Sequence, residues 1–267
     1  TARYFKTESN GCASGNGNSS PFILTMKPGK YSKEDLFAKI KNGLYINDVS
    51  GLNSGIDSTS LNFSLPCQGY VIKDGKKHVG HYQSLFPKKQ PIHIEIGMGK
   101  GKFIRENAKR YPNINFIGIE KYDSVVAKCL PNIDLSLSNL AIVRMDALEI
   151  DSIFSHEVTQ IYLNFSDPWP KVRHHSRRLS SKVFLDKYDA IFSSSPKILM
   201  RTDNSDLFCY SLMSFSEHGY VLRNLTFDLH RDIPDDFITT EYEDKFSKEG
   251  LPIYSVEACK VSNKVNK

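Results

Sequence analysis

No apolar run in this chain approaches the roughly 20 residues that a membrane-spanning helix needs, so no membrane partner is expected. Cysteine is sparse: Cys12, Cys67, Cys129, Cys209 and Cys259 form no CxxC pair and no metal-ligand spacing. An odd, scattered set argues against a disulfide framework and for reduced thiols in the cytoplasm, and no metal is expected. An initiator Met and a signal-peptide pattern are both missing, so residue 1 is not expected to be a native start. No internal repeat is visible, and Trp169 is the single tryptophan. Net charge is only +5, so any surface for a polyanion has to come from clustering of the basic residues. With 40% hydrophobic residues over 267 positions the chain can build a real core. It is long for one domain by the prior of roughly 100–200 residues.

Such a cluster is present. Ile161 to Phe165 reads as a buried strand, apolar apart from Asn164, and then breaks at Asp167 on Pro168 and Pro170, which flank Trp169. Lys171, Arg173, His174, His175, Arg177 and Arg178 follow at once. The prolines forbid a helix start there and stiffen the loop. In an open α/β sheet, ligands sit outside the carboxyl ends of the strands. A carboxylate at such an exit, beside an aromatic and a basic run, therefore reads as a site facing a polyanion. A solvated charged loop is the plainer alternative. Residues 171–178 would neutralise phosphates and set register without reading sequence.

Residues 1 to about 80 have a texture of their own. Thr7 to Ser20 is Gly/Asn/Ser-rich and predicts loop or disorder. Phe22 to Met26 predicts a strand, Ser32 opens a helix through Ile40, and Leu44–Val49 and Gly69–Lys73 alternate like half-buried strands. From about residue 81, strands alternate with helices. Strands are expected at 91–96, 115–120, 140–146, 160–165, 197–202, 220–229 and 253–259, and helices at 102–110, 122–130, 184–192 and 205–218. This grammar implies a mostly parallel sheet covered on both faces.

Glu95-Ile-Gly97-Met-Gly99-Lys-Gly101 sits between a strand and a helix, where a glycine turn lets backbone approach a ligand. It departs from the G-x-G-x-x-G dinucleotide fingerprint, and no P-loop lysine motif follows. Glu120 ends the second strand, where an acid can accept from ribose hydroxyls, and Asp146 ends the third, in reach of an adenine edge. Three acids at successive strand exits would repel a diphosphate but suit a cationic sulfonium, so S-adenosylmethionine is the expected cofactor.

The words IHIEIGMGKGKF, NFIGIE, YLNFSDPWPKVRHHSRRL, RTDN and TTEYEDKF closely resemble the bacterial tRNA (guanine-N7-)-methyltransferase family, often called TrmB, over residues 81–260. The DPWPK-x-RH word is highly specific; the glycine word is not. The resemblance implies a Rossmann-like class I methyltransferase with a mostly parallel seven-stranded sheet, acting on tRNA. It implies a cofactor site from Glu95, Glu120, Asp146 and Asp167, joined by Gly97 and Gly99 of the turn. It also implies substrate contacts at Lys171, Asp203, Thr240 and Glu243, with Arg173, His174, His175, Arg177 and Arg178 touching RNA. For Thr240 to Glu243 a simple capping box is the alternative, and both readings are compatible. Family members carry a basic arm before the first strand, and here that place holds other sequence.

Residues 36–77, LFAKIKNGLYINDVSGLNSGIDSTSLNFSLPCQGYVIKDGKK, resemble the C-terminal part of the TldD/PmbA metalloprotease-like family. That family's HExxxH zinc motif is absent, so its chemistry does not carry over, and His78 with His81 read as surface histidines. The expected division is a small α+β segment at 1–78 and a methyltransferase domain at 79–267.

Guanine N7 has an in-plane lone pair and no proton to lose, so methyl transfer needs alignment rather than a strong base. Positive charge grows on the purine, and a nearby carboxylate stabilises it. Asp167 is the expected catalytic residue. The rival readings are a TldD/PmbA-type fusion protein and a non-catalytic RNA-binding module, and the oligomeric state stays open between monomer and homodimer.

Overall fold

The computed structural model describes residues 22–25, 70–72, 79–129, 132, 134, 136–232, 237–246 and 250–260. The expected helix at 32–40, the strand at 44–49, the glycine-rich start and His78 lie outside these residues.

The seven expected strands are β3 (Ile92–Ile96), β4 (Asn115–Glu120), β5 (Leu140–Arg144), β6 (Val158–Asn164), β7 (Lys197–Thr202), β8 (Val221–Thr226) and β9 (Tyr254–Cys259). Strands β5, β4, β3, β6 and β7 run parallel, and β9 then pairs antiparallel with both β7 and β8. Two further strands, β1 (Phe22–Thr25) and β2 (Tyr70–Ile72), extend this sheet, giving the order β2-β1-β5-β4-β3-β6-β7-β9-β8. Strand β1 lies antiparallel on β5. The sequence texture sets the front segment apart; its described strands instead cover what would be the open edge of β5, a template for pairing.

Side chains alternate across the sheet, and the alternation sorts the core into two layers. Ile94, Ile96, Ile117, Ile119, Val143, Ile161 and Leu163 point to one face. There they pack under α3 (Lys182–Ile191) and α4 (Ser205–Glu217), which supply Phe184, Leu185, Tyr188, Leu207 and Phe215. Phe116, Leu140, Ile142 and Tyr162 point to the other face, under α1 (Lys102–Arg110) and α2 (Asp123–Cys129), meeting Phe103, Ile104, Ala108 and Val126. By the same parity Glu95, Asn164 and Arg201 share the α1 face at the carboxyl ends of β3, β6 and β7. The strand order reverses between β3 and β6, the switch point where open α/β sheets take ligands.

Element limits differ from the sequence reading by a few residues. The helix expected at 184–192 begins at Lys182, and Val172–Arg177 forms a 3-10 turn in place of the expected loop. A 3-10 turn needs only local hydrogen bonds, such as His174 N–H to Lys171 O at 2.8 Å, so the prolines upstream do not prevent it. A last short helix, α5 (Glu241–Phe246), precedes β9.

Candidate active site

At the end of β3, Glu95 is 2% exposed. Asn164 Nδ2 donates to Glu95 Oε1 at 2.9 Å, while Oε2 is buried without a hydrogen-bond partner. Burial pushes the Glu95 carboxyl up to about 8. The turn that follows carries left-handed backbone at Gly97 and Gly99, with φ of +78° and +59°. A Cβ at either would meet nothing within 4 Å, so the turn presents bare backbone to open space. Opposite it, Glu120 at the end of β4 accepts from Gly99 N–H at 3.2 Å with Oε2 and from the N–H groups of Lys121 and Tyr122 with Oε1. Gly118, beneath the turn, makes room for Met98: a Cβ there would lie 2.4 Å from the Met98 sulfur.

Asp146 follows β5 and is half-buried. Burial raises its carboxyl, but the bonds from Lys121 Nζ at 2.7 Å and Leu148 N–H at 3.0 Å outweigh this and hold it below the usual range. Glu95, Gly97, Gly99, Glu120 and Asp146 thus line three adjacent strand exits.

The loop after β6 is strained. Phe165 and Trp169 both adopt positive φ, 50° and 41°. Aromatic residues rarely do so; each instance costs about 1–3 kcal/mol and persists only where the surroundings enforce it. Here they do. Phe165 N–H donates to Arg201 O at 2.8 Å, and its ring stacks on Tyr242 at 4.7 Å. Arg178 Nε and Nη2 donate to the carbonyls of Pro168 and Trp169 at 2.8 and 3.4 Å, while its guanidinium covers the Tyr210 ring at 4.4 Å. Between these clamps Asp167 is exposed, and its carboxylate takes no hydrogen bond from the described residues.

The basic run divides in two. Lys171, Arg173 and Arg177 are exposed, His174 and His175 are partly so, and Arg177 lies over the Trp169 ring at 4.9 Å. Arg178, expected to touch RNA, is only 3% exposed and spends its donors on the loop's own carbonyls. This corrects the sequence reading, since a guanidinium folded under the loop presents nothing to a phosphate.

Thr240 and Glu243 form the capping box of α5. Glu243 N–H donates to Thr240 Oγ1 at 3.0 Å, and Thr240 N–H donates to Glu243 Oε2 at 2.6 Å. Glu243 is fully buried, and its Oε1 has no hydrogen-bond partner. Asp203, at the exit of β7, is exposed and accepts from Tyr242 Oη at 2.8 Å.

Sequence reasoning missed Arg201. It is mostly buried, lies over the rings of Phe103 and Phe237 at 5.1 and 4.2 Å, donates to Ile238 O at 2.9 Å and faces Glu243 at 3.6 Å. Burial lowers its pKa, with Glu243 and Glu95 opposing. A charged residue directly after the apolar run Ile198–Met200 was the available signal. Asn164 gave the same signal, and its partner was not legible. Among the described residues no group of three or more His, Cys, Asp and Glu is arranged to hold a metal ion, and no helix is long and apolar enough to cross a membrane.

The sheet order, the open glycine turn after the first parallel strand and the acids at successive exits define a Rossmann-like methyltransferase. A solved 16S rRNA methyltransferase, KamB, shares the fold at a TM-score of 0.52 and 11% identity, covering 68% of this chain and 93% of its own. A family model described as a putative methyltransferase matches residues 89–256. The tRNA (guanine-N(7)-)-methyltransferase of Geobacillus kaustophilus is 47% identical over 193 residues, 72% of this chain and 89% of that protein. The protein of the same name from Bacillus cytotoxicus is 46% identical over 191 residues, 71% of this chain and 88% of that protein. The chain belongs to this tRNA (guanine-N(7)-)-methyltransferase family. Residues 1–80 match a second model, the PmbA/TldA metallopeptidase C-terminal domain.

Proposed function

We propose that residues 79–260 transfer a methyl group from S-adenosylmethionine to N7 of a guanine in tRNA, in the cytoplasm. The residues present fit that cofactor. Glu95 keeps a buried oxygen with no partner, which suits a cationic group. Glu120 fastens the glycine turn with its carboxylate at the rim, and the open faces of Gly97 and Gly99 leave room for a ligand against backbone. Asp146 completes the row for the adenine edge. When bound, the sulfonium supplies an electrophilic methyl group.

The chain's own task is alignment and charge. N7 needs no base, so the rate depends on holding the purine in line and on stabilising the positive charge it gains. Asp167 is suited to the second role: exposed, without a hydrogen bond from the described residues, and on a loop pinned by hydrogen bonds at Phe165, Pro168 and Trp169. Asp203, Lys171, Thr240 and Glu243 serve as guanine contacts; Glu243 Oε1 makes no hydrogen bond and lies 3.8 Å from His230 Nε2. Lys171, Arg173, His174, His175 and Arg177 take the phosphates of the tRNA. The observation that carries the reading is the doubly strained Phe165–Trp169 loop, which costs stability and sets one free carboxylate beside a basic turn at the sheet's switch point.

Mass spectrometry of nucleosides from tRNA incubated with the protein and S-adenosylmethionine tests it. N7-methylguanosine that depends on both is the expected product. Its absence, or methylation at another atom, sinks the proposal.

A further inference from the structure

The segment 237–246 bears Thr240 and Glu243 but contributes no strand to the sheet. Its position is set by side chains from elsewhere, and the most economical of these contacts converge on Lys102. That residue opens α1 directly after the glycine turn. Its backbone N–H, one of those a helix start leaves unpaired, donates to Glu241 Oε1 at 2.8 Å. Its ammonium donates to Thr239 Oγ1 at 2.6 Å and pairs with the Asp244 carboxylate. Thr239 Oγ1 closes the ring by donating to Asp244 Oδ1 at 2.6 Å. The partners alternate with the two substrate-side residues: Thr239, then Thr240, Glu241, then Glu243, Asp244.

A lone surface ion pair would mean little, and the ammonium is indeed 28% exposed with Asp244 at 48%. Here, however, one residue holds the segment by backbone and side chain together. Glu241 also places its negative charge on the positive end of α1. The first helical residue after the cofactor turn is thereby tied to both ends of the capping box. The turn and the segment that carries Thr240 and Glu243 are thus joined through a single residue.

We propose that Lys102 is a positioning residue that couples the cofactor side of the site to its guanine side. The inference rests on the function proposed above, which places S-adenosylmethionine at residues 95–99 and guanine near Thr240 and Glu243. Coupling of this kind is reciprocal: RNA tightens cofactor binding by the factor with which cofactor tightens RNA binding, commonly about 5- to 150-fold.

The test compares wild type with Lys102→Met and Lys102→Arg, and approaches from the partner side with Asp244→Asn in case the Met variant does not fold. Affinity for S-adenosylhomocysteine is measured by calorimetry with and without saturating tRNA, beside thermal melts and steady-state methylation. Wild-type affinity should tighten at least about fivefold with tRNA. In Lys102→Met and Asp244→Asn the factor should fall below about twofold while affinity without tRNA and melting temperature hold. kcat/KM for tRNA should drop about tenfold, the worth of one charge-assisted hydrogen bond. Lys102→Arg should recover most of the coupling. Coupling that persists in both variants, or is absent from wild type, overturns the proposal, as does equal weakening with and without tRNA, which marks a merely structural contact. Failure of wild type to make N7-methylguanosine removes instead the proposed reaction, and is read in a separate assay.

Discussion

Asn164 on β6 hydrogen-bonds Glu95 on β3 at 2.9 Å, and this contact spans the point where the strand order reverses. It joins the acid beside the glycine turn to the strand that ends in the Asp167 loop. Because the other Glu95 oxygen is buried without a partner, the carboxyl favours its protonated form until a cation arrives.

That state has a measurable sign. Burial raises the Glu95 carboxyl to about 8, Glu241 pushes the same way, and the Asn164 bond and Arg201 oppose. In the unfolded chain it titrates near ~4.3. Its contribution to stability is therefore full below that value and is lost as pH rises toward about 8, because the folded protein keeps a proton the unfolded chain has released. Glu95→Gln should flatten this part of the decline in denaturant melts between about pH 5 and pH 8. A cation bound against Glu95 should also release up to about one proton near neutral pH, read by calorimetry in buffers of different ionisation enthalpy. Equal pH slopes in the two proteins would rule out the protonated carboxyl.

Glu120 should govern cofactor affinity. Its oxygens already hold the N–H groups of Gly99, Lys121 and Tyr122, so the carboxylate is fixed before any ribose hydroxyl reaches it. Glu120→Ala should weaken S-adenosylmethionine binding roughly ten- to a hundredfold, the worth of a hydrogen bond to a charged group. Unchanged affinity by calorimetry would take Glu120 out of the cofactor site.

Neighbouring arginines should behave oppositely. Reversing the charge of exposed Arg173 and Arg177 should weaken tRNA binding and reduce its salt slope by about one for each phosphate no longer neutralised, with only a small fall in melting temperature from the lost Arg177–Trp169 contact. Arg178→Met should instead strip donors from the carbonyls of Pro168 and Trp169 and destabilise the fold by about 1–3 kcal/mol. A steep salt slope retained by the double reversal would return Arg173 and Arg177 to a solvated face.

Asp167→Asn separates chemistry from binding. The substitution keeps shape and removes charge, so the loss should fall on the transition state. Removing one preorganised electrostatic group costs on the order of a hundred- to a thousandfold in rate. Single-turnover methylation at saturating tRNA and cofactor measures it. A rate within about threefold of wild type would move the role to Asp203.

Local sequence was enough for the strand-and-helix alternation, the glycine turn, the acids at the exits of β3, β4 and β5, and the Asp167 break. Each of these is written in neighbours a few residues apart: period-two apolar runs, glycines where φ must be positive, prolines that stop a strand. The DPWPK-x-RH word and the other shared words placed the family for the same reason. The 3-10 turn at 172–177 was not legible, because its short-range bonds need no apolar period.

Tertiary structure decided which charges face out and which are tied down. Arg178 and Arg177 are adjacent in a basic run and identical in type, yet one is folded under the loop against Tyr210 and the other lies over Trp169 at the surface. Glu95 met Asn164, Lys102 met Thr239 and Asp244, and Arg201 met Glu243 across separations of tens of residues or more. Such pairs are set by the order in which strands lie side by side and by which face each side chain takes. Strand order is a property of the whole sheet, so no single stretch of the chain records it.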